Sequence, residues 1–149
     1  MSTADPTDGR DDALYALFAE INRSILITQR RDGRPQVSNV NHAFDPVTRT
    51  ARISVTADRV KTRNVARDPR VTLHVTSADF WSYAVADGDA ELGPVASEPG
   101  DSGIEELVDL YRAVAGEHPD WDDYTRAMIT DRRQVLHISF DHVYGQAPR

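Results

Sequence analysis

No cysteine occurs among the 149 residues, which removes disulfides, thiolate metal ligands and a cysteine nucleophile together. Lysine is almost as scarce, since Lys61 stands alone beside sixteen arginines. A bias of that kind fits GC-rich coding, so arginine abundance by itself carries little functional weight. No apolar run approaches the ~20 residues that a membrane-spanning helix requires. The stretch from Met1 to Asp12 is polar and acidic, without the apolar core of a signal peptide, and a cytoplasmic location is expected. Neither G-x-G-x-x-G nor a Walker loop is present, so a bound nucleotide would need another cradle. The five histidines (His42, His74, His118, His137 and His142) show no metal-ligand spacing, and no metal is expected.

What is present describes a globular chain, with 40% apolar and 28% charged residues. At this length a single domain over residues 1–149 is expected, burying roughly 70% of its unfolded surface. Residues 1 to about 10 read as a flexible N-terminal tail. The net charge of −7 argues against a general nucleic-acid partner, but its distribution is uneven. Residues 30–70 hold ten basic against four acidic side chains, net +6, whereas residues 71–125 set Arg112 against thirteen acids. An acidic protein that concentrates its positive charge in one stretch is building either an anion site or a solvated face balanced by acids downstream.

Hydrophobic periodicity gives the elements. Asp11 and Asp12 precede Leu14, Leu17, Phe18 and Ile21, the spacing of an amphipathic helix with an N-cap candidate. Ser24–Arg30 and Pro35–Phe44 read as strands around an Asp32-Gly33 hairpin signal. On the second strand Val37, Asn39 and Asn41 share one face, and Ser38, Val40 and His42 the other. Further strands follow over Ala51–Ala57 and Val71–Thr76, with a short helix from about Arg59 to Arg67 between them. Trp81–Leu92 is a long strand, or a hairpin broken near Asp87-Gly88. After the loop at 93–103, helices at Ile104–Val114 and from Trp121 lead to a last strand over Val135–Phe140. Six strands with helices at ends and connections predict an α+β fold, a small antiparallel barrel.

Gly100-Asp101-Ser102-Gly103 spells the surroundings of a trypsin-like nucleophile, but the chain is too short for that double barrel. Ser102-Gly103-Ile104-Glu105 instead has the spacing of a capping box. The informative segment is Asp58-Arg59-Val60-Lys61-Thr62-Arg63-Asn64. A helix N-terminus carries partial positive charge and unpaired N–H groups, so acids belong in its first turn. Here Arg59, Lys61 and Arg63 occupy it, an unfavourable arrangement unless an anion sits among them. Free N–H groups, Thr62, arginine and lysine together describe a phosphate site. Gln36, Ser38 and Asn39 put three polar side chains on four strand positions, which fits either a strand that reads the polar edge of a ring or one solvated sheet face. Trp81 and Tyr83 place two aromatics at i, i+2, a pattern of core, interface or ligand wall.

Three segments, DGRPQVSNV (32–40), RVKTRNVARDPR (59–70) and WSYAVADGDAEL (81–92), together resemble the pyridoxamine 5′-phosphate oxidase-like split-barrel family, in its actinobacterial branch that uses the deazaflavin coenzyme F420. The likeness continues through GEHPDWDDY (116–124) and TDRR (130–133) to HVYG (142–145). It implies a six-stranded antiparallel split β-barrel, with a homodimer carrying two cofactor sites in its interface clefts. Arg59, Lys61, Thr62 and Asn64 would hold the cofactor phosphate. Gln36, Ser38 and Asn39 would line the deazaflavin ring, with Pro35 and the Ser54–Val55 backbone nearby, and Trp81 and Tyr83 would reach in from the other subunit. Arg132 or Arg133 would approach the tail or the substrate. The activity implied is F420H2-dependent hydride transfer to a small electron-poor acceptor, and no catalytic acid or base carries over. An FMN enzyme on the same fold, and a protein that binds F420 or a haem-related ligand without turnover, are the alternatives.

Overall fold

Period-two alternation sends one side chain of each pair into a barrel and leaves its neighbour outside, and the computed structural model, which describes residues 6–149, follows that pattern except at one register shift between two strands. The elements run α1 (Pro6–Glu20), β1 (Arg23–Gln29), β2 (Pro35–Asp45), β3 (Thr50–Thr56), α2 (Val60–Arg67), β4 (Arg70–Thr76), β5 (Tyr83–Leu92), α3 (Ser102–Ala115), α4 (Trp121–Thr130) and β6 (Arg133–Gln146). The strands close in the order β1-β2-β3-β6-β5-β4, every pairing antiparallel. The α+β barrel read from the sequence is the fold observed.

Leu26, Ile53, Val55, Leu73, Val75, Leu136 and Ile138 fill the barrel, and α1 lays Leu14, Leu17 and Phe18 on the same core. His42 sits among them with no exposed surface. Its Nε2–H donates to the Phe18 carbonyl oxygen at 2.9 Å, and its Nδ1 accepts from the Ser24 hydroxyl at 2.7 Å. Burial therefore holds the ring neutral and pushes its pKa below the usual histidine value. A second core, with Ala96, Ile104, Leu107, Leu110, Tyr124 and Val135, glues α3 and α4 to the outside of β6.

Three boundaries differ from expectation, each for a physical reason. The first helix begins at Pro6, a residue whose fixed φ suits a first helical position, so Asp11 and Asp12 lie within it rather than capping it. Of the stretch expected as a flexible tail, residues 6–10 are thus helical, and residues 1–5 lie outside the described residues. The N-cap of α3 is Asp101 and not Ser102, because the Asp101 carboxylate accepts from the N–H of Ile104 at 2.9 Å. Finally, β6 runs to Gln146, well past Phe140, because β5 pairs with it from Tyr83 to Leu92 as one continuous strand. A register shift at Asp87/Gly88 accommodates that pairing, and a Cβ on Gly88 would collide with the Ser139 carbonyl oxygen.

The barrel wall is split at one seam. β2 pairs with β1 from Pro35 to Asn41, but with β3 only from His42 to Asp45. β3 meanwhile pairs with β6 along its whole length. Below His42 and Ile53 the two strands part, leaving the first half of β2 facing Ser54–Thr56 across a gap. α2 starts just beyond that end of β3.

Candidate functional site

The inner face of β2 at the split carries Gln36 and Ser38, because Thr28↔Gln36 and Leu26↔Ser38 are register partners and both β1 residues point into the barrel. Polar groups there need partners, and they have them in a relay. The Asn64 amide donates to the Thr28 hydroxyl at 3.1 Å, which donates to Gln36 Oε1 at 3.2 Å, and the Gln36 amide donates to Ser38 Oγ at 2.9 Å. Arg67 closes the relay from the far end, donating to Asn64 Oδ1 at 3.3 Å and to the Gln29 carbonyl oxygen. One chain of donors thus fixes α2 to β1 and β2 and holds a polar wall along the split. Thr28, fully buried in β1, was not visible as part of this group from the sequence. The only signal was a hydroxyl at an inward-facing position.

The helix that Asn64 ties to this wall, α2, begins at the end of β3, where its first turn meets the Thr56 carbonyl oxygen. Arg59 is its N-cap, offers no side-chain hydrogen bond to the free N–H groups, and no acid lies in the first turn. Arg59 and Arg63 are exposed, whereas Lys61 is half-buried. Burial, then the neighbouring Arg59 and Arg133, lower the Lys61 pKa. Among the described residues none of Arg59, Lys61, Arg63 and Arg133 has a carboxylate oxygen within 4.0 Å, while Arg132 is paired with Asp58 at 3.2 Å. Further along the helix Arg63 and Arg67 meet Arg30 and Arg31 of the β1–β2 turn around a cleft of about 310 Å³, which Val60 and Asn64 also line.

The structure brings together most of the residues singled out from the sequence, in unequal roles. Arg59 and Lys61 present free cationic heads. The Thr62 hydroxyl is buried and donates to the Thr56 carbonyl oxygen at 2.8 Å, and Asn64 spends both ends of its amide within the relay. Val55 is a core side chain, so only its backbone faces the split; Ser54 is half-buried and Pro35 is exposed at the start of β2. Asn39 points the opposite way from Gln36 and Ser38, into a cleft of about 360 Å³ with Arg23, Asn41, His74 and Thr76. Trp81 and Tyr83 stand at the other end of β4, exposed by 79% and 37%, and meet none of the split-side residues within one chain. Val37, at 57%, and Tyr144, at 50%, are also exposed on outward-facing strand positions.

A six-stranded antiparallel barrel opened between β2 and β3 defines the class of small split barrels. The profile of the pyridoxamine 5′-phosphate oxidase family matches residues 11–147, and the chain belongs to that family. Among solved structures, a conserved hypothetical protein of Mycobacterium tuberculosis superposes with a TM-score of 0.68 at 18% identity, covering 97% of this chain and 86% of that one. A protein named F420 reductase gives 0.63 at 22% identity, covering 87% and 94%. A heme binding protein from Mycobacterium smegmatis gives 0.65 at 19% identity over 96% of this chain and 55% of that one. At such identities the likenesses establish the fold. No described helix is long and apolar enough to cross a membrane.

Proposed function

We propose that the protein is an F420H2-dependent reductase that acts as a homodimer in the cytoplasm on a small electron-poor organic acceptor. One observation carries this reading: Arg59 and Lys61 gather without a carboxylate at the uncapped N-terminus of the helix that Asn64 ties to the polar wall of Gln36 and Ser38. Such a donor set suits a ligand with a phosphate at one end and a flat polar ring at the other. The reduced deazaflavin, when bound, supplies the hydride. The protein's own residues bind and orient: Arg59 and Lys61 hold the phosphate, Asn64 and Thr62 fix the helix that carries them, and Gln36 and Ser38 set the ring edge. Proximity and exclusion of water then do the protein's share of the catalysis.

The exposed Val37, Trp81, Tyr83 and Tyr144 support a second copy of the chain covering this strand face, which would bring Trp81 and Tyr83 to a partner's site together with Asn39. The neighbour named F420 reductase and the RVKTRNVARDPR segment favour the deazaflavin over FMN. A binding protein without turnover is the second reading. It is favoured by the histidine nearest the split, His42, which has both ring nitrogens committed to Ser24 and Phe18 and offers no proton to a substrate.

Titration of the apo-protein with F420 and with FMN, followed by tryptophan fluorescence, separates the cofactors. Consumption of reduced F420 with a panel of enones, quinones and imines separates turnover from binding. Tight F420 binding with acceptor-dependent oxidation is expected. Preference for FMN, or binding of neither, overturns the proposal.

A further inference from the structure

Arg133 opens β6, opposite Thr56 in the β3–β6 ladder, and its carbonyl oxygen accepts from the Ala96 N–H at 2.8 Å, so its backbone is held from both sides. Its side chain is mostly buried, and its Nε–H is sealed from solvent with no hydrogen-bond partner. The guanidinium lies close enough to Lys61 and to Tyr124 to shift the titration of both. Tyr124 gives it nothing to bind, because its hydroxyl donates to the Leu107 carbonyl oxygen at 3.0 Å. Arg132, next in sequence, behaves oppositely: it is exposed and paired with Asp58. A guanidinium that is largely buried, short of a partner and crowded by a lysine is costly in the empty protein. The cost is offset only when an anion enters between the two cations.

We propose that Arg133 is a third cationic ligand of the anion site at the α2 N-terminus, reaching it from β6 and closing a three-sided cage with Arg59 and Lys61. The proposal deepens the cofactor reading by naming a third residue that holds the cofactor's phosphate group. It rests on that reading only for the location of the anion. Arg59 and Lys61 belong to one helix turn and approach the anion from one side. Arg133 comes from a separate element of the barrel, so the distance between α2 and β6 sets the size of the anion accepted. Arg132 takes no part, because its charge is spent on Asp58.

The test uses the apo-protein with inorganic phosphate as the probe, read by calorimetric titration and by the thermal midpoint. Phosphate should bind the unmodified protein and raise its midpoint. Arg133→Gln should weaken phosphate binding about tenfold or more, the scale of one lost charge-assisted contact. Without phosphate its midpoint should equal or exceed that of the unmodified protein, since a buried unpaired charge has gone. Arg132→Gln should leave phosphate affinity within about twofold. Should Arg133→Gln not fold, Arg133→Lys keeps the charge without the fork, and an intermediate phosphate affinity is expected.

Phosphate affinity unchanged in either Arg133 variant, an equal loss in Arg132→Gln, or no phosphate binding at all overturns the inference. If phosphate binding depends on Arg133 while neither F420 nor FMN binds, the cage stands and the cofactor reading falls. If F420 binds the Arg133→Gln protein with full affinity, the cage falls and the cofactor reading stands.

Discussion

The N-termini of α2 and α3 pose the same backbone problem and solve it with opposite chemistry. Each begins with N–H groups that the helix itself cannot satisfy. At α3 the Asp101 carboxylate accepts from the N–H of Ile104, Ser97 and Glu98 and from the Ser97 hydroxyl, all between 2.9 and 3.0 Å. Those bonds, led by the one from Ile104, hold its carboxyl down at about 2. At α2 the corresponding position is Arg59, whose side chain caps nothing, and the first turn adds Lys61 in place of an acid. The first arrangement is complete within the chain. The second leaves its N–H groups to water or, in the proposed reading, to an anion from outside. A helix end that departs from the stable solution, in a protein that uses that solution elsewhere, is the feature on which the proposed anion site rests.

The sharpest way to break the contrast is to give α2 the cap of α3. Arg59→Asp replaces a cation with a carboxylate able to accept from the free N–H groups. Cofactor affinity should fall by about 3 kcal/mol or more, from one lost charge-assisted bond and one new repulsion. The thermal midpoint of the apo-protein should rise. A midpoint that falls would show that Arg59 serves the helix, and the contrast would be false. Next in size, Lys61→Ala should weaken cofactor binding by about 1–3 kcal/mol with little change in apo stability, measured by fluorescence titration and thermal melts.

The opposite change belongs to α3. Asp101→Ala should lower the thermal midpoint by a few degrees and leave cofactor affinity untouched. Its pH signature has a definite sign. Because the folded carboxyl titrates at about 2, below its ordinary 3.8, the contribution is fully present above pH 3.8 and disappears as pH falls through about 2. The gap in midpoint between the parent and Asp101→Ala should therefore close across that window. A gap that persists at the acid end would mean that the alanine acts by something other than the lost carboxylate.

How much of this was legible in the sequence depended on whether the deciding force was local. Alternation alone identified β1 to β4, and the same period already placed Asn39 on the face opposite Ser38 and His42. The structure bears that out by sending Asn39 into a different cleft from Gln36 and Ser38. The misplaced cations of α2 were equally readable, since capping chemistry is local. Tertiary partners decided the rest. The polar residues after Phe140 do not look like a strand, and they are one only because β5 lies alongside them. Ser102 and Asp101 are both acceptable caps by composition, and only the loop geometry of Ser97 and Glu98 chooses the aspartate. Thr28 showed only as a hydroxyl at an inward-facing position, and the resemblance left Arg132 and Arg133 undivided, because each acts through what the fold sets beside it.

Thr62 offers the smallest effect and the finest division between holding a ligand and holding the helix that holds it. Its position in the KTRN segment resembles that of a phosphate ligand, yet its hydroxyl is buried and already donates to the Thr56 carbonyl oxygen at 2.8 Å. That bond ties the first turn of α2 to the end of β3, where the Arg59 N–H also reaches the same carbonyl at 3.2 Å. Thr62→Val keeps the shape and removes the donor, so stability should drop by about 1 kcal/mol, the net worth of one buried hydrogen bond. Cofactor affinity should stay within about threefold, because Arg59 and Lys61 keep their charges and the carbonyl keeps one donor. A loss in affinity as large as that of Lys61→Ala, with unfolding free energy unchanged in urea, would instead make the hydroxyl a direct ligand. The turn would then have to release Thr56 when the anion arrives, turning a fixed anchor into a moving part.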